Sequence, residues 1–389
     1  MVPCVIRRFR TEDLLSDFLP FHRPTIYDRH VQAVAETLRS GWLTSAGKVE
    51  EFEKAFAEKV GAKHAVAVNS CTAALHLALV GLGIGPCDAV VTSPITFASA
   101  VNAIEYVGAV PVWSDVLSDD LTIDPESVRR KIKAYNPKAV IVTHFAGFPA
   151  RMDELEAVCN GIPIVTDAAH GIEISYRGRL SGQLGRVACY SFYATKNITT
   201  GEGGMLVTDD PDLADRVRVL RLHGMTKGAW SRYGQAGYKH WDIEEPGWKY
   251  NMSDIQAALG LAQLGDMDAW LGKRVQLANT YRNYLDRKKV RIVEPEEDVN
   301  IRWARHLFVV RVPERDRVME EVQKRGVGVG VHFRAAHRLT YYNRKYLTPL
   351  GWLPEAERAS DEVLSLPLYP SMEVADVYRV IKVLHEVLS

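Results

Sequence analysis

Asp167 closes the apolar run PIVTD, and 29 residues later Lys196 stands in CYSFYATKNITTGEGG. Each follows a segment that reads as a β-strand, and ligands of open α/β sheets gather at the carboxyl ends of parallel strands. Gly201, Gly203 and Gly204 after the lysine permit close backbone approach. Taken alone, Asp167 could cap the turn AAHG, and Lys196 could be a solvated turn residue. Their order and spacing point elsewhere. A lysine able to form an imine, with an acid able to keep a pyridine nitrogen protonated, is the pair that pyridoxal phosphate chemistry requires.

A third piece is NSCTAALHLAL, residues 69–79. A strand ending at Val68 would hand over to a helix opened by Asn69, Ser70, Cys71 and Thr72. The free amides and positive end of such a helix suit the cofactor phosphate. Ser70 or Thr72 could also be a plain N-cap, which is compatible with phosphate binding. Ser191, five residues before the lysine, is a further hydroxyl for the same phosphate. Phe97 in SPITFASAVNAI could stack on the pyridine ring or fill a core. His170, three residues after Asp167, could reach the other ring face or the 3′-oxygen, or be satisfied by nearby backbone.

These residues need a scaffold. HAVAV (64–68), AVVTS, a run at 109–113, KAVIVTH (138–144), PIVTD (163–167) and an alternating run at 187–192 read as strands. TAALHLALVGLG (72–83), a stretch around 97–107 and MDELEAV read as helices. Strands that are apolar throughout and separated by helices predict a parallel sheet covered on both faces. From about residue 253 the pattern becomes one long helix, followed by a strand (HLFVVRV, 306–312), a helix (314–325) and another strand leading into VHF (331–333). The expected division is an N-terminal extension over 1–17, a large domain over 18–265 and a smaller α+β domain over 266–389.

The bulk numbers exclude several classes. At 389 residues, 47% hydrophobic and 25% charged, the chain has ordinary globular composition. Basic and acidic residues balance at 48 each, so neither nucleic acid nor an anionic membrane is an expected partner. Five dispersed cysteines without a C-x-x-C pair argue against a disulfide framework or a zinc site, and no metal is expected. No apolar stretch approaches the ~18 residues of a membrane span. The first residues lack the apolar core of a signal peptide, so the expected location is cytoplasmic.

SGWLTSAGKVEEFEKAFAEKVGAKHAVAVNSCTAALHLAL, TDAAHG, SFYATKNITTGEGG, HGM (223–225), YNMSDIQAALGLAQL, VHF and LSLPLYPSM follow one another along the chain. In this order the sequence resembles the DegT/StrS-type sugar aminotransferases from about Phe18 to the C-terminus. The resemblance implies fold type I of the pyridoxal-phosphate-dependent transferases: an α/β large domain with a mostly parallel seven-stranded sheet, plus a smaller C-terminal α+β domain. It implies Lys196 as the Schiff-base lysine, Asp167 as the partner of the pyridine nitrogen and Phe97 as the ring stacker. Cys71, Thr72 and Ser191 fall at phosphate-binding positions, and His170 falls where glutamine is common and histidine also occurs. Cys71 replaces the usual glycine of that turn, so only its amide is expected to serve. PGWKYNMSD (246–254) reads K-Y-N-M where N-Y-R-M is commoner. Family members use this region to reach the cofactor phosphate of the neighbouring subunit. Lys249 or Asn251 would take that role, in a homodimer with shared active sites.

The K-Y-N variant, DAAH, KNIT–EGG, GVGVHFRAAH followed by YYNRKY, and the opening FLPFHRP are similar to the branch making UDP-4-amino-4-deoxy-L-arabinose. That similarity implies L-glutamate as donor, 2-oxoglutarate as its product and a UDP-linked 4-keto pentose as acceptor. A UDP-4-keto-6-deoxy-hexose is the alternative acceptor. His332, Arg334 and His337 would then face the substrate, where guanidinium or imidazolium could meet a diphosphate or the donor carboxylates; otherwise they belong to a solvated loop. The family's dehydratase branch carries histidine where this chain has Lys196. A cysteine desulfurase needs a reactive thiol on a mobile loop, whereas Cys71 sits at the expected phosphate turn. A catalytically idle regulatory protein that binds the cofactor would be distinguished by a glutamate half-reaction.

Overall fold

Val, Ile and Ala dominate the short apolar runs, and packing on both faces turns them into one buried sheet. The computed structural model describes residues 18–225, 241–243 and 245–389; the extension expected over 1–17 lies outside them. The strands are β1 (His64–Val68), β2 (Ala89–Thr92), β3 (Val110–Trp113), β4 (Ala139–Thr143), β5 (Ile164–Asp167), β6 (Ser175–Tyr176), β7 (Arg179–Leu180), β8 (Val187–Ser191) and β9 (Gly204–Thr208). Further on come β10 (Arg291–Val293), β11 (Ile301–Arg302), β12 (Phe308–Arg311) and β13 (Val363–Leu366). Seven of them form the main sheet in the order β1-β9-β8-β5-β4-β2-β3. All neighbours run parallel except β9, which is antiparallel to both β1 and β8. The expected α/β fold with a mostly parallel seven-stranded sheet is present.

The two faces of the sheet are covered differently. On one lies the helix Cys71–Gly81, apolar on nearly every side because it is sandwiched between the sheet and the helices Ala98–Tyr106 and Pro211–Leu220. On the other, Phe52 and Phe56 of the helix Gly47–Val60 pack against Tyr190 and Phe192, with Phe56 edge-on to both. Both phenylalanines are fully buried, each worth about 1.5–3 kcal/mol of transfer free energy.

The C-terminal sheet β10-β12-β13 is backed by helices Arg315–Lys324 and Val374–Val387 around Phe308, Val310, Leu364 and Leu384. A separate core joins this part to the large sheet, with Trp113 and Phe145 on one side and Trp303, Val309 and Ala335 on the other. The Ala336 amide donates to the Pro94 carbonyl at 2.8 Å, which ties the loop 331–337 to the sheet's carboxyl end.

Three local expectations need correction. The long helix after 253 is two helices, Asp254–Gln263 and Met267–Tyr284, separated by a tighter 3₁₀ turn at Leu264–Asp266 that contains Gly265. No strand leads into VHF; Val327 and Gly330 form only isolated bridges, to Leu19 and Ser365. Gly328 explains this, because a Cβ there would meet the Phe21 amide nitrogen at 2.6 Å: the chain runs against the segment 19–21 instead of a strand partner. Finally, β9 lies outside the expected strands, although its five residues are bounded by glycines before and by Asp209, Asp210 and Pro211 after.

Candidate active site

Strand ends and one helix start converge on a cavity of about 570 Å³ at the carboxyl edge of the sheet. Asp167 is the last residue of β5, in register with Thr143 of β4 and Cys189 of β8. It is buried, and burial pushes its carboxyl above the usual range. Its partners are the Ala169 amide at 3.1 Å and the Cys71 thiol, whose sulfur lies 3.9 Å from Oδ1. Lys196 also pulls the carboxyl down, yet the site still lacks a donor strong enough to offset desolvation.

Lys196 lies in the loop between β8 and β9. Its amide donates to the Tyr193 carbonyl at 2.9 Å, and the Tyr193 amide in turn donates to Ser191 Oγ at 3.3 Å. The loop is closed from outside by Gln263, which bonds Thr199 through both its oxygen (3.1 Å) and its nitrogen (2.6 Å). Burial lowers the lysine to about 8, while Asp167 and then Cys71 act to raise it. A lysine so placed carries a substantial neutral fraction near neutrality.

At the other wall Ser70 caps the helix Cys71–Gly81, its Oγ accepting from the Ala73 amide at 3.1 Å. The Ala74 amide donates to the Ser70 carbonyl. The amides of Cys71 and Thr72 therefore remain for an anion. Gly204 admits this helix end: a Cβ there would collide with the Ser70 carbonyl and meet the Cys71 nitrogen at 2.6 Å. Ser191, Thr72 and Cys71 line the cavity, as do Phe97 and His170. Phe97 is exposed at the rim with its ring 6.2 Å from that of Phe333. His170 is buried between His306 and Phe333, and its Nδ1 has no partner.

A family model described as DegT/DnrJ/EryC1/StrS aminotransferase matches residues 24–385. The chain belongs to this family of aminotransferases. It is 43% identical over 383 residues to the spore coat polysaccharide biosynthesis protein SpsC of Bacillus subtilis, covering 96% of this chain and 98% of the relative. Its fold is similar to the PLP form of Spr1654 from Streptococcus pneumoniae, a protein described as a putative sugar aminotransferase. There the TM-score is 0.87 at 29% identity, over 96% of this chain and 100% of the other. DesV from S. venezuelae, solved in complex with a ketimine intermediate, matches with TM-score 0.84 at 34% identity, over 93% of this chain and 95% of the other.

The DegT/DnrJ/EryC1/StrS aminotransferases of known structure include forms with pyridoxal and pyridoxamine phosphate, and this chain is a pyridoxal-phosphate-dependent aminotransferase. Its residues fit the cofactor. The under-compensated Asp167 carboxylate suits a pyridinium N–H, the Cys71–Thr72 amides suit a phosphate, and the orphan His170 Nδ1 awaits a polar ligand atom.

Not every expected substrate residue reaches the cavity. His332 lines it, but burial and then Lys196 lower its pKa to about 4. It is therefore a neutral imidazole rather than the expected imidazolium, with Nδ1 2.9 Å from Ser365 Oγ. Arg334 is exposed and outside the cavity lining. His337 is buried away from it, against Trp113 and 3.7 Å from Glu357; the turn at Ala336–Arg338 points it into the core joining the two parts. Lys249 is exposed and outside this lining. Asn251 is also outside it, with Nδ2 donating to Ser45 Oγ at 2.7 Å.

Sequence reasoning missed the lysine's rear wall. Glu173 and Arg274 form a deeply buried ion pair. Asn197 donates through Nδ2 to Glu173 (2.6 Å) and to the Ala304 carbonyl (3.1 Å). With both amide hydrogens engaged, its Oδ1 accepts, so His306 Nδ1, 2.8 Å away, carries the proton. Phe333 is a further cavity residue that sequence reasoning missed, although it stands inside the VHF string.

Proposed function

We propose that this aminotransferase moves an amino group from L-glutamate to a nucleotide-linked 4-keto sugar, with a UDP-4-keto pentose as the favoured acceptor. The observation that carries the reading is that Lys196, Asp167 and the Cys71–Thr72 amides open onto one cavity. The K-Y-N-M, DAAH and GVGVHFRAAH strings support the pentose, and the SpsC relationship supports a product destined for a polysaccharide.

The cavity lining supports the following assignment of roles. Bound pyridoxal phosphate supplies an electron sink for the bond pair left at the donor's Cα. Asp167 would accept a hydrogen bond from the ring nitrogen and keep that nitrogen protonated. Cys71, Thr72 and Ser191 would hold the phosphate, and Phe97 and His170 would contact the ring. Lys196 Nζ, neutral once its nitrogen is free, takes the Cα proton and later returns it. His332, in the cavity lining, would face the sugar nucleotide as a neutral hydrogen-bonding group. Lys249 or Asn251 reaches the site of a second copy, so the active unit is a homodimer, cytoplasmic in location. The large and small domains divide at 265.

The test is an absorbance spectrum of the protein with pyridoxal phosphate, before and after L-glutamate. The expected result is a band near the visible edge that glutamate bleaches and UDP-linked 4-keto sugars restore. Restoration by a UDP-4-keto-6-deoxy-hexose but not by the pentose would move the assignment to that sugar. No band would refute the Lys196 assignment, and a band that ignores glutamate would refute the donor.

A further inference from the structure

Behind Lys196, away from the large cavity, lies a second and much smaller one of about 20 Å³. It sits beneath the segment His22–Thr25 and is lined also by Asn197, Arg274 and His306. Among the described residues, Lys196 alone lines both cavities. The volume matches one water molecule, since about 10–15 Å³ of this measure suffices for a single site.

The polar atoms around it are out of balance. His22 Nε2, Thr25 Oγ1 and Arg274 Nε are each buried without a hydrogen-bond partner. Arg274 is 2% exposed, so its Nε–H is a charged-group donor shut off from bulk solvent. Burial, then Arg274, then Lys196 lower His22 to about 4, and it also bonds to the Ala194 backbone. A neutral imidazole that donates to a carbonyl through one nitrogen keeps a lone pair on the other. The wall thus offers a donor at Arg274, an acceptor at His22 and a hydroxyl of either sense at Thr25. Buried polar groups without a partner are destabilising, and a buried water making about three hydrogen bonds is the common way to meet such a set.

We propose that this cavity is a site for one ordered water held by Arg274 Nε, His22 Nε2 and Thr25 Oγ1, and that this water exchanges protons with Lys196 on the side away from the substrate. The second clause rests on the aminotransferase reading above; the first does not. A lysine that strips a proton from Cα on one face can then trade it with a confined water on the other. His22, neutral near neutrality, and Arg274 orient the water.

The experiment has two arms. Crystals of the protein without added cofactor are expected to show a density peak within hydrogen-bond reach of the three atoms, and Thr25→Val, which keeps the side-chain shape, is expected to remove or displace it. A cavity without density in the wild type overturns the site. In the second arm, Cα-deuterated L-glutamate is supplied to the cofactor-loaded enzyme, and deuterium released to solvent is measured over a single half-reaction. The wild type is expected to lose label to solvent, and Thr25→Val to lose less. Equal loss in a variant shown to lack the water overturns the exchange role. Glutamate that does not react at all overturns the aminotransferase reading, and the exchange role falls with it, while the water site is still decided by the density.

Discussion

The two sides of Lys196 are built on opposite plans. In front, a wide cavity is bordered by strand ends and a helix start that leave donors and an acid without full compensation. Behind, Arg274, Glu173, Asn197 and His306 pair with one another, and Arg274 Nε beside the small cavity is the group among them left without a protein partner. The front is open to a large ligand, whereas the protein closes the rear down to the volume of a single water. Catalytic readiness in this fold is therefore local: the wide opening where chemistry takes place leaves its acid under-compensated, and most of the charge immediately behind it is paired within the chain.

Perturbing each side should give different failures. The largest effect expected is from Lys196→Ala in front, with turnover falling by roughly 10⁴-fold, the absorbance band lost and chemical unfolding little changed. A stability loss matching the activity loss would erase the distinction. On the rear side, Glu173→Gln leaves Arg274 buried without its carboxylate and should cost about 3–5 kcal/mol in denaturant unfolding. If that variant unfolds normally but fails in the glutamate half-reaction, the rear wall is chemical as well as structural.

Gly204→Ala presses a methyl group into the Ser70–Cys71 backbone and should cost about 1–3 kcal/mol, seen as faster loss of pyridoxal phosphate on gel filtration. Ser70→Ala, which removes only the helix cap, should cost about 1 kcal/mol of stability, with the cofactor retained. The pH dependence sharpens the comparison further. Only the neutral amine attacks pyridoxal phosphate, so the rate of combination with cofactor-free protein should rise as pH passes through about 8. Asp167 is the largest influence raising the lysine's pKa, so Asp167→Asn should move that midpoint to lower pH. A midpoint unchanged in the variant would separate the two groups electrostatically.

The front of the site was legible for the same reason that it is local. Asp167, Lys196 and Ser70–Thr72 each follow closely on a strand, so strand periodicity located them, and the carboxyl-end rule brought them together. The rear was not legible. Glu173, Asn197, Arg274 and His306 lie in two loops, a helix and a strand approach, and no short spacing links them; only the folded topology does. His337 shows the converse error, a charged-looking residue in a loop that the core takes inward. The broken helix at Leu264–Asp266 and the missing strand before VHF were set by a turn and a close backbone approach, both tertiary effects on apolar patterns that looked regular.

The antiparallel strand β9 has a consequence for how the lysine is kept ready. Because β8 and β9 pair from Ala188 and Val207 to Ser191 and Gly204, the lysine loop leaves the sheet and returns to the adjacent strand. A parallel crossover would have led it away into a helix. The Phe192 amide continues the ladder to the Gly203 carbonyl, and Gln263 holds the middle of the loop by Thr199. Opening the loop therefore requires breaking its stem and its outer clasp together. Amide protons of 192–203 should exchange with solvent as part of a larger cooperative unit, and the lysine meets each incoming amino donor without first having to be ordered.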